Sequence, residues 1–273
     1  NLDPQRMSRV AMHRIKARDG RELPVWVTQP AGLKAGQPVP AVVLVHGGPW
    51  VRDGFWQWEP MQQFLASRGY LVISAEFRGS TGYGDDHYRA GWKQWGQAMQ
   101  NDVADALLWA QKQGLASDKA CIAGASYGGY STLMGLVRHP ELYKCGVAWV
   151  AVTDPTLVLK GAWGVIDDID NSSRRYTLPQ TVGDIDKDAK MLADNSPLLR
   201  AEEIKAPLFL AFGESDRRVP LEHGERLRAA LTKAGRPPEW VTYSNEAHSW
   251  RQVGTQIDFA RRMEKFLAQQ LKG

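Results

Sequence analysis

Three residue types, met in one order along this chain, set the chemistry it can do. They are a serine inside Gly124-Ala125-Ser126-Tyr127-Gly128, then Asp216, then His248. A serine hydroxyl is a weak nucleophile on its own. It needs a histidine to take its proton and a carboxylate to hold that imidazole in one tautomer and stabilise its positive form. The chemistry such a trio performs is acyl transfer. Gly-x-Ser-x-Gly also arises by chance in glycine-rich loops, so context decides. Here an apolar run, 120–123, leads in, and a helical pattern carrying Leu133, Met134 and Val137 leads out. Strand, turn and helix together form a nucleophile elbow, whose sharpness strains the serine backbone and excludes neighbouring side chains.

The partners follow from strand ends, where chemistry gathers in parallel α/β sheets. The apolar run 207–212 is followed by Gly213-Glu214-Ser215-Asp216, and the run 240–243 by Ser244-Asn245-Glu246-Ala247-His248. Acid and base thus arrive after the serine from the last two strands. Asp154, just past the preceding strand, is the rival acid. Asp102 and Asp105 fall on a helix face, where they are expected to cap or solvate it. Among the histidines, His13 lies in a hairpin, His87 in a polar loop, His139 at a helix end and His223 near a helix start, each with an ordinary structural or surface role. His46 precedes the serine, the wrong order for a base. An oxyanion hole must supply backbone N–H groups to the developing negative charge. One is the N–H of Tyr127, and the other belongs to the loop Val45-His46-Gly47-Gly48-Pro49-Trp50.

The elements that must position these groups read as follows. Runs 12–17 and 23–28, joined by Arg18-Asp19-Gly20-Arg21, predict an antiparallel hairpin. Continuous apolar runs then recur at 41–45, 70–75, 119–123, 145–152, 207–212 and 240–243, as buried parallel strands do. Helical patterns at 61–67, 103–113, 130–138, 221–234 and 255–271 fall between or after them. This alternation predicts a doubly wound α/β sandwich in one domain over 1–273, with the hairpin in 1–30. Segment 154–204 breaks the alternation. It holds Trp163, Asp167, Asp168 and Asp170, and reads as an inserted cap over the site or as a surface excursion.

Composition narrows the class. Thirty-four Lys and Arg against 30 Asp and Glu leave a net charge of +4, scattered rather than striped, which gives no nucleic-acid footprint. Cys121 and Cys145 sit in apolar strands and are expected to be buried thiols, so the compartment stays open between cytoplasm and periplasm. No spacing suits a metal, no cofactor is implied, and no apolar run reaches membrane-span length. The loop Arg78 to Gly84 lacks the Gly-Lys-Ser/Thr ending of a phosphate loop. Of the 11 tryptophans, Trp50, Trp56, Trp58 and Trp163 are candidates to line an apolar pocket, whereas Trp109 and Trp149 read as core. The start at Asn1 suggests a processed or excised piece of something longer.

These segments together resemble the peptidase domain of the prolyl oligopeptidase family, nearest its acylaminoacyl-peptidase and dipeptidyl-peptidase-like branches. The resemblance rests on His46-Gly47-Gly48-Pro49, Arg78-Gly79-Ser80-Thr81-Gly82-Tyr83-Gly84, Asn101-Asp102-Val103, Gly124 to Tyr130, Ser196-Pro197, Asp216-Arg217-Arg218-Val219-Pro220 and Glu246-Ala247-His248. It implies an α/β-hydrolase fold: a mostly parallel eight-stranded sheet with helices on both faces. It implies a serine peptidase acting on short peptide or acyl-peptide substrates, with Ser126, Asp216 and His248 as triad and the Gly48 and Tyr127 amides as oxyanion donors. It also implies that Arg218 grips a substrate carbonyl, against the plainer reading of a salt bridge to a loop acid. The upstream β-propeller usual in the family cannot be formed by this chain, and Ala247 stands where the family commonly has glycine. A carboxylesterase using the same machinery, or a non-catalytic binding fold, is the alternative. Nucleic-acid and membrane partners are not expected, and self-assembly into a homo-oligomer is left open.

Overall fold

The computed structural model of the chain describes residues 3–4, 7–33, 36–160 and 169–272. Its first two strands, β1 (Arg9–Lys16) and β2 (Glu22–Gln29), pair antiparallel without a register shift from Arg9↔Gln29 to Lys16↔Glu22. Gly20 takes the positive φ (87°) that the connecting turn demands. Then come β3 (Val39–Val45), α1 (Pro60–Ser67), β4 (Leu71–Ala75), α2 (Asp85–Arg89), α3 (Ala98–Lys112), β5 (Ala116–Ala125), α4 (Tyr127–Arg138) and β6 (Cys145–Trp149). The rest comprises α5 (Pro155–Lys160), a π-helical turn at Ser173–Thr177, α6 (Leu178–Thr181), α7 (Ala189–Asp194), β7 (Leu208–Gly213), α8 (Glu222–Lys233), β8 (Glu239–Tyr243) and α9 (Val253–Leu271).

The strands form one eight-stranded sheet in the order β1-β2-β4-β3-β5-β6-β7-β8. β2 meets β4 antiparallel, and every pairing from β4 to β8 is parallel. Adjacent residues on a strand point to opposite faces. Val43, Ile122 and Leu210 therefore pack with Val103 of α3, Leu133 of α4 and Leu227 of α8. Their neighbours Val42, Cys121 and Phe209 pack with Leu65 of α1 and Phe259 and Phe266 of α9. Two covered faces explain the unbroken apolar runs.

The chain leaves β3 toward β4 on one side, then returns to place β5 on the other side of β3. The order reverses at that point, and a crevice opens outside the carboxyl ends of β3 and β5. The loop with Gly48 follows β3, and Ser126 follows β5, so topology alone brings them together.

Three expectations need correction here. Cys121 and Cys145 are not free thiols but a disulfide, with Cα atoms 4.7 Å apart. They are direct partners in the β5–β6 ladder and face the same layer, so register brings their side chains together. Asp102 does not cap or solvate α3. It is fully buried, and its carboxylate accepts from the Arg78 backbone N–H (2.9 Å), Nε (2.8 Å) and Nη2 (2.7 Å), while Asp19 takes Arg78 Nη1 at 2.8 Å. Asp105 is likewise buried and grips Arg18. Burial alone would lower the Arg78 pKa; the two carboxylates outweigh it and leave it raised. Removing one partner of such a buried pair strands the other charge. Asp102→Ala is therefore expected to lose about 3 kcal/mol or more of unfolding free energy in urea titration; a loss under about 1 kcal/mol would contradict this role.

Candidate active site

Ser126 sits between β5 and α4 with φ 58° and ψ −118°, one of three non-glycine residues at positive φ among the described residues. Glycines make that turn feasible. A Cβ on Gly128 would lie 2.1 Å from Val45 O, and one on Gly124 2.5 Å from the Gly128 carbonyl carbon. The elbow is tied to the next strand, because Ser126 N–H donates to Trp149 O (3.1 Å) and Val152 N–H to Ser126 O (3.3 Å). Val150, also at positive φ (43°), ends β6 beside it, so the expected strand 145–152 stops early. Tyr127 is the first residue of α4, where a backbone N–H has no intrahelical partner.

The loops after β7 and β8 interlock. A Cβ on Gly213 would come within 2.3 Å of Ala247 O, and Ser215 N–H donates to Glu246 O at 3.0 Å. Asp216 has a fully buried side chain. Its Oδ1 accepts from the N–H groups of Arg218 (2.8 Å) and Val219 (3.0 Å), and its Oδ2 accepts from His248 Nδ1 at 2.7 Å. With Nδ1–H held by the carboxylate, the lone pair of the imidazole lies on Nε2. The pairing brings the base from the end of β8 to the end of β7, its neighbour on the β5 side of the sheet. The hydrogen bonds of the described residues join Asp216 to His248 and do not include one from Ser126 Oγ to His248. Catalytic hydrogen bonds are often loose until substrate binds.

Sequence reasoning gave Glu246 no role. It is 1% exposed, and its carboxylate accepts the N–H groups of Arg251 (2.8 Å) and Gln252 (2.9 Å), where the chain enters α9. Burial raises its pKa, but those backbone bonds prevail and lower it. Glu246 thereby braces the loop that carries His248.

The rivals have other duties. Asp154 Oδ1 accepts Thr156 N–H (2.9 Å) at the start of α5. His46 lies against Ser80 Oγ (3.0 Å), His139 caps α4, and His13 packs on Trp109. His87 is in α2 rather than a loop, and is buried against the carbonyls of Glu76 and Phe77. His223 is 1% exposed and takes Thr153 N–H on Nδ1. Burial pushes its pKa down to about 3. The unfolded chain therefore binds this proton first, and the native state loses stability as pH falls below the unfolded value toward 3. Between about pH 7 and pH 5 this group is expected to remove roughly 2 kcal/mol, and His223→Asn to flatten that slope in urea melts.

A cleft of about 380 Å³ opens at the elbow, lined by Gly48, Trp50, Trp95, Ser126, Tyr127 and Arg218 among others. Gly48 has φ 112°. Of the tryptophans expected here, Trp50 is present, whereas Trp56 (72% exposed) packs on Trp26 and Trp58 (49%) on Met7, neither among the cleft-lining residues. Trp163, Asp167 and Asp168 lie outside the described residues. Trp95 was missed. It is buried against Tyr127 at 4.7 Å and Tyr130 at 5.1 Å, and its sequence surroundings carry no apolar period to signal it. A wider depression of about 590 Å³ beside the hairpin gathers Arg14, Arg21, Glu22 and Asp86 but none of the triad candidates.

The model of the prolyl oligopeptidase family matches residues 56–273, a span that takes in Ser126, Asp216 and His248. The chain belongs to the prolyl oligopeptidase family. Among relatives within reach, dipeptidyl aminopeptidase BIII of Pseudoxanthomonas mexicana is 37% identical over 269 residues, covering 95% of this chain and 38% of that protein. Dipeptidyl peptidase family member 6 of Caenorhabditis elegans is 32% identical over 245 residues, covering 89% of this chain and 32% of that one. A puromycin-hydrolyzing peptidase of Mycobacterium tuberculosis superposes with TM-score 0.89 at 26% identity, over 99% of this chain and 40% of its own. An acylaminoacyl peptidase in complex with Z-Gly-Gly-Phe-chloromethyl ketone gives TM-score 0.85 at 25% identity, over 97% and 42%. This prolyl oligopeptidase family chain thus spans less than half the length of the relatives it matches.

Proposed function

We propose that this chain is the catalytic unit of a serine peptidase that cleaves short peptides or acyl-peptides through an acyl-enzyme. The observation that carries the reading is the Asp216 Oδ2 to His248 Nδ1 bond of 2.7 Å, with Arg218 and Val219 of the Asp216 loop lining the same cleft as the elbow serine. Ser126 Oγ attacks the scissile carbonyl as His248 Nε2 takes its proton. Asp216 holds the imidazole and stabilises its charged form. The Gly48 and Tyr127 N–H groups receive the oxyanion. His248 then protonates the leaving amine, and water releases the acyl group by the same steps.

Arg218 follows the acid by two residues and shares the cleft wall with Ser126. Its forked donors suit a peptide carbonyl beside the scissile bond. Trp50, Trp95, Val152 and Val219 give the cleft an apolar wall, which favours a bulky apolar side chain at the cleavage position. Residues 169–182 act as part of a cap, since Asp170, Leu178 and Val182 line the same cleft. A panel of aminoacyl- and peptidyl-nitroanilides, run beside a p-nitrophenyl ester on this chain, tests the reading. Ester turnover without anilide turnover would favour a carboxylesterase.

No helix among the described residues is long and apolar enough to cross a membrane. We assign the chain to an oxidising compartment such as the periplasm, because the buried Cys121–Cys145 bond is of the kind that persists there. Denatured protein purified without reductant is expected to show no free thiol, and two after reduction. Two thiols before reduction would contradict the assignment.

A further inference from the structure

The wall behind the Gly48 loop holds a carboxylate that the reaction itself does not use. Glu76 directly follows β4 and is 2% exposed. Its Oε1 accepts the N–H groups of Asp53 (3.1 Å) and Gly54 (2.5 Å). Its Oε2 lies 3.9 Å from His46 Nε2 and has no hydrogen-bond partner among the described residues. His46 and Gly54 are the two ends of segment 46–54, and Gly48 stands between them. One side chain therefore bonds the far end of the loop and lies beside its near end.

That arrangement opposes stability taken alone. Burying a carboxylate with one oxygen unpaired is unfavourable, and burial accordingly pushes the Glu76 pKa up. The packing around it is tight enough to make the geometry definite. Gly54 lies flush on Trp26, where a Cβ would come within 1.9 Å of the indole Nε1. Arg52 Nε donates to Gly54 O (3.0 Å), and Thr81 N–H donates to Val51 O (3.0 Å). At the other end the His46 ring stacks at 4.3 Å on Phe77, the residue next to Glu76.

We infer that Glu76 is a positioning residue for the oxyanion hole: it holds the far end of segment 46–54 by two hydrogen bonds and abuts His46 at the near end, so that the Gly48 N–H stays aimed at the cleft beside Ser126. The inference rests on the reading of Gly48 and Ser126 given above. Glu76 meets no substrate and acts through the loop.

The test compares Glu76→Ala and the volume-conserving Glu76→Met with Glu76→Gln, whose amide oxygen can still accept both N–H groups. The first two are expected to lower kcat about 10²-fold, with KM within about threefold of wild type. Glu76→Gln should recover most of that loss. The readout that a merely structural role would not move is the preference for an oxo-ester over its thiono analogue, since sulfur is a poor hydrogen-bond acceptor. That preference should fall roughly tenfold in the Ala and Met variants and return in the Gln variant. A folded Glu76→Met that keeps its kcat, or loses kcat with the oxygen-to-sulfur preference intact, overturns the inference. Ser126→Ala is the control: retained activity there would sink the underlying reading of the site, whatever Glu76 does.

Discussion

Ser126→Ala is expected to abolish turnover, lowering kcat by something on the order of 10⁴ to 10⁶ while KM stays near the wild-type value. The substitution removes one oxygen and keeps the Cβ. The backbone bonds from Ser126 N–H to Trp149 O and from Val152 N–H to Ser126 O do not involve the hydroxyl, so the elbow should survive. Thermal unfolding should shift little. Residual rate above water would come from the amides of Gly48 and Tyr127 and from binding. Single-turnover kinetics with an activated ester check this, and a kcat within tenfold of wild type in a folded variant would refute Ser126 as nucleophile.

Asp216→Asn should be nearly as damaging for a different reason. The Asn Oδ1 can still accept the N–H groups of Arg218 and Val219, so the loop keeps its shape. Its amide N–H₂ then faces His248 Nδ1, which must become the acceptor. The proton moves to Nε2, the nitrogen that should receive the serine proton. Wrong tautomer with intact geometry is expected to cost about 10⁴ in kcat. Full activity in Asp216→Asn with loss in Asp154→Asn would transfer the acid's role to the rival.

Much of this was legible in the sequence for identifiable reasons. All eight strands announced themselves, β1 and β2 through the Asp19-Gly20 hairpin signal and the other six because parallel strands covered on both faces write unbroken apolar runs, as at Val42-Val43 and Phe209-Leu210. The elbow at Ser126 and the Asp216–His248 pair were legible because the last two strand ends follow the elbow in chain order. What stayed hidden depended on contacts between distant segments. Cys121 and Cys145 pair through strand register, which composition does not encode. Asp102 looked like a solvated helix position because its partner Arg78 lies 24 residues away. α3 and α4 begin earlier than their apolar periods do, at Ala98 and Tyr127, where tertiary packing buries Met99 and Tyr127. Glu76 and Glu246 act on backbone N–H groups of loops, and no residue pattern marks such a partner.

The central claim is that Ser126 is activated by a base held on the loop after the last strand. Reaction with a fluorophosphonate, with the adduct mapped by mass spectrometry in wild type and in His248→Gln, tests it most directly. A single adduct on the peptide bearing Ser126, formed at least about 10²-fold more slowly in the variant, is the result this account predicts. An adduct on another residue, or equal labelling rates in the two proteins, would contradict it.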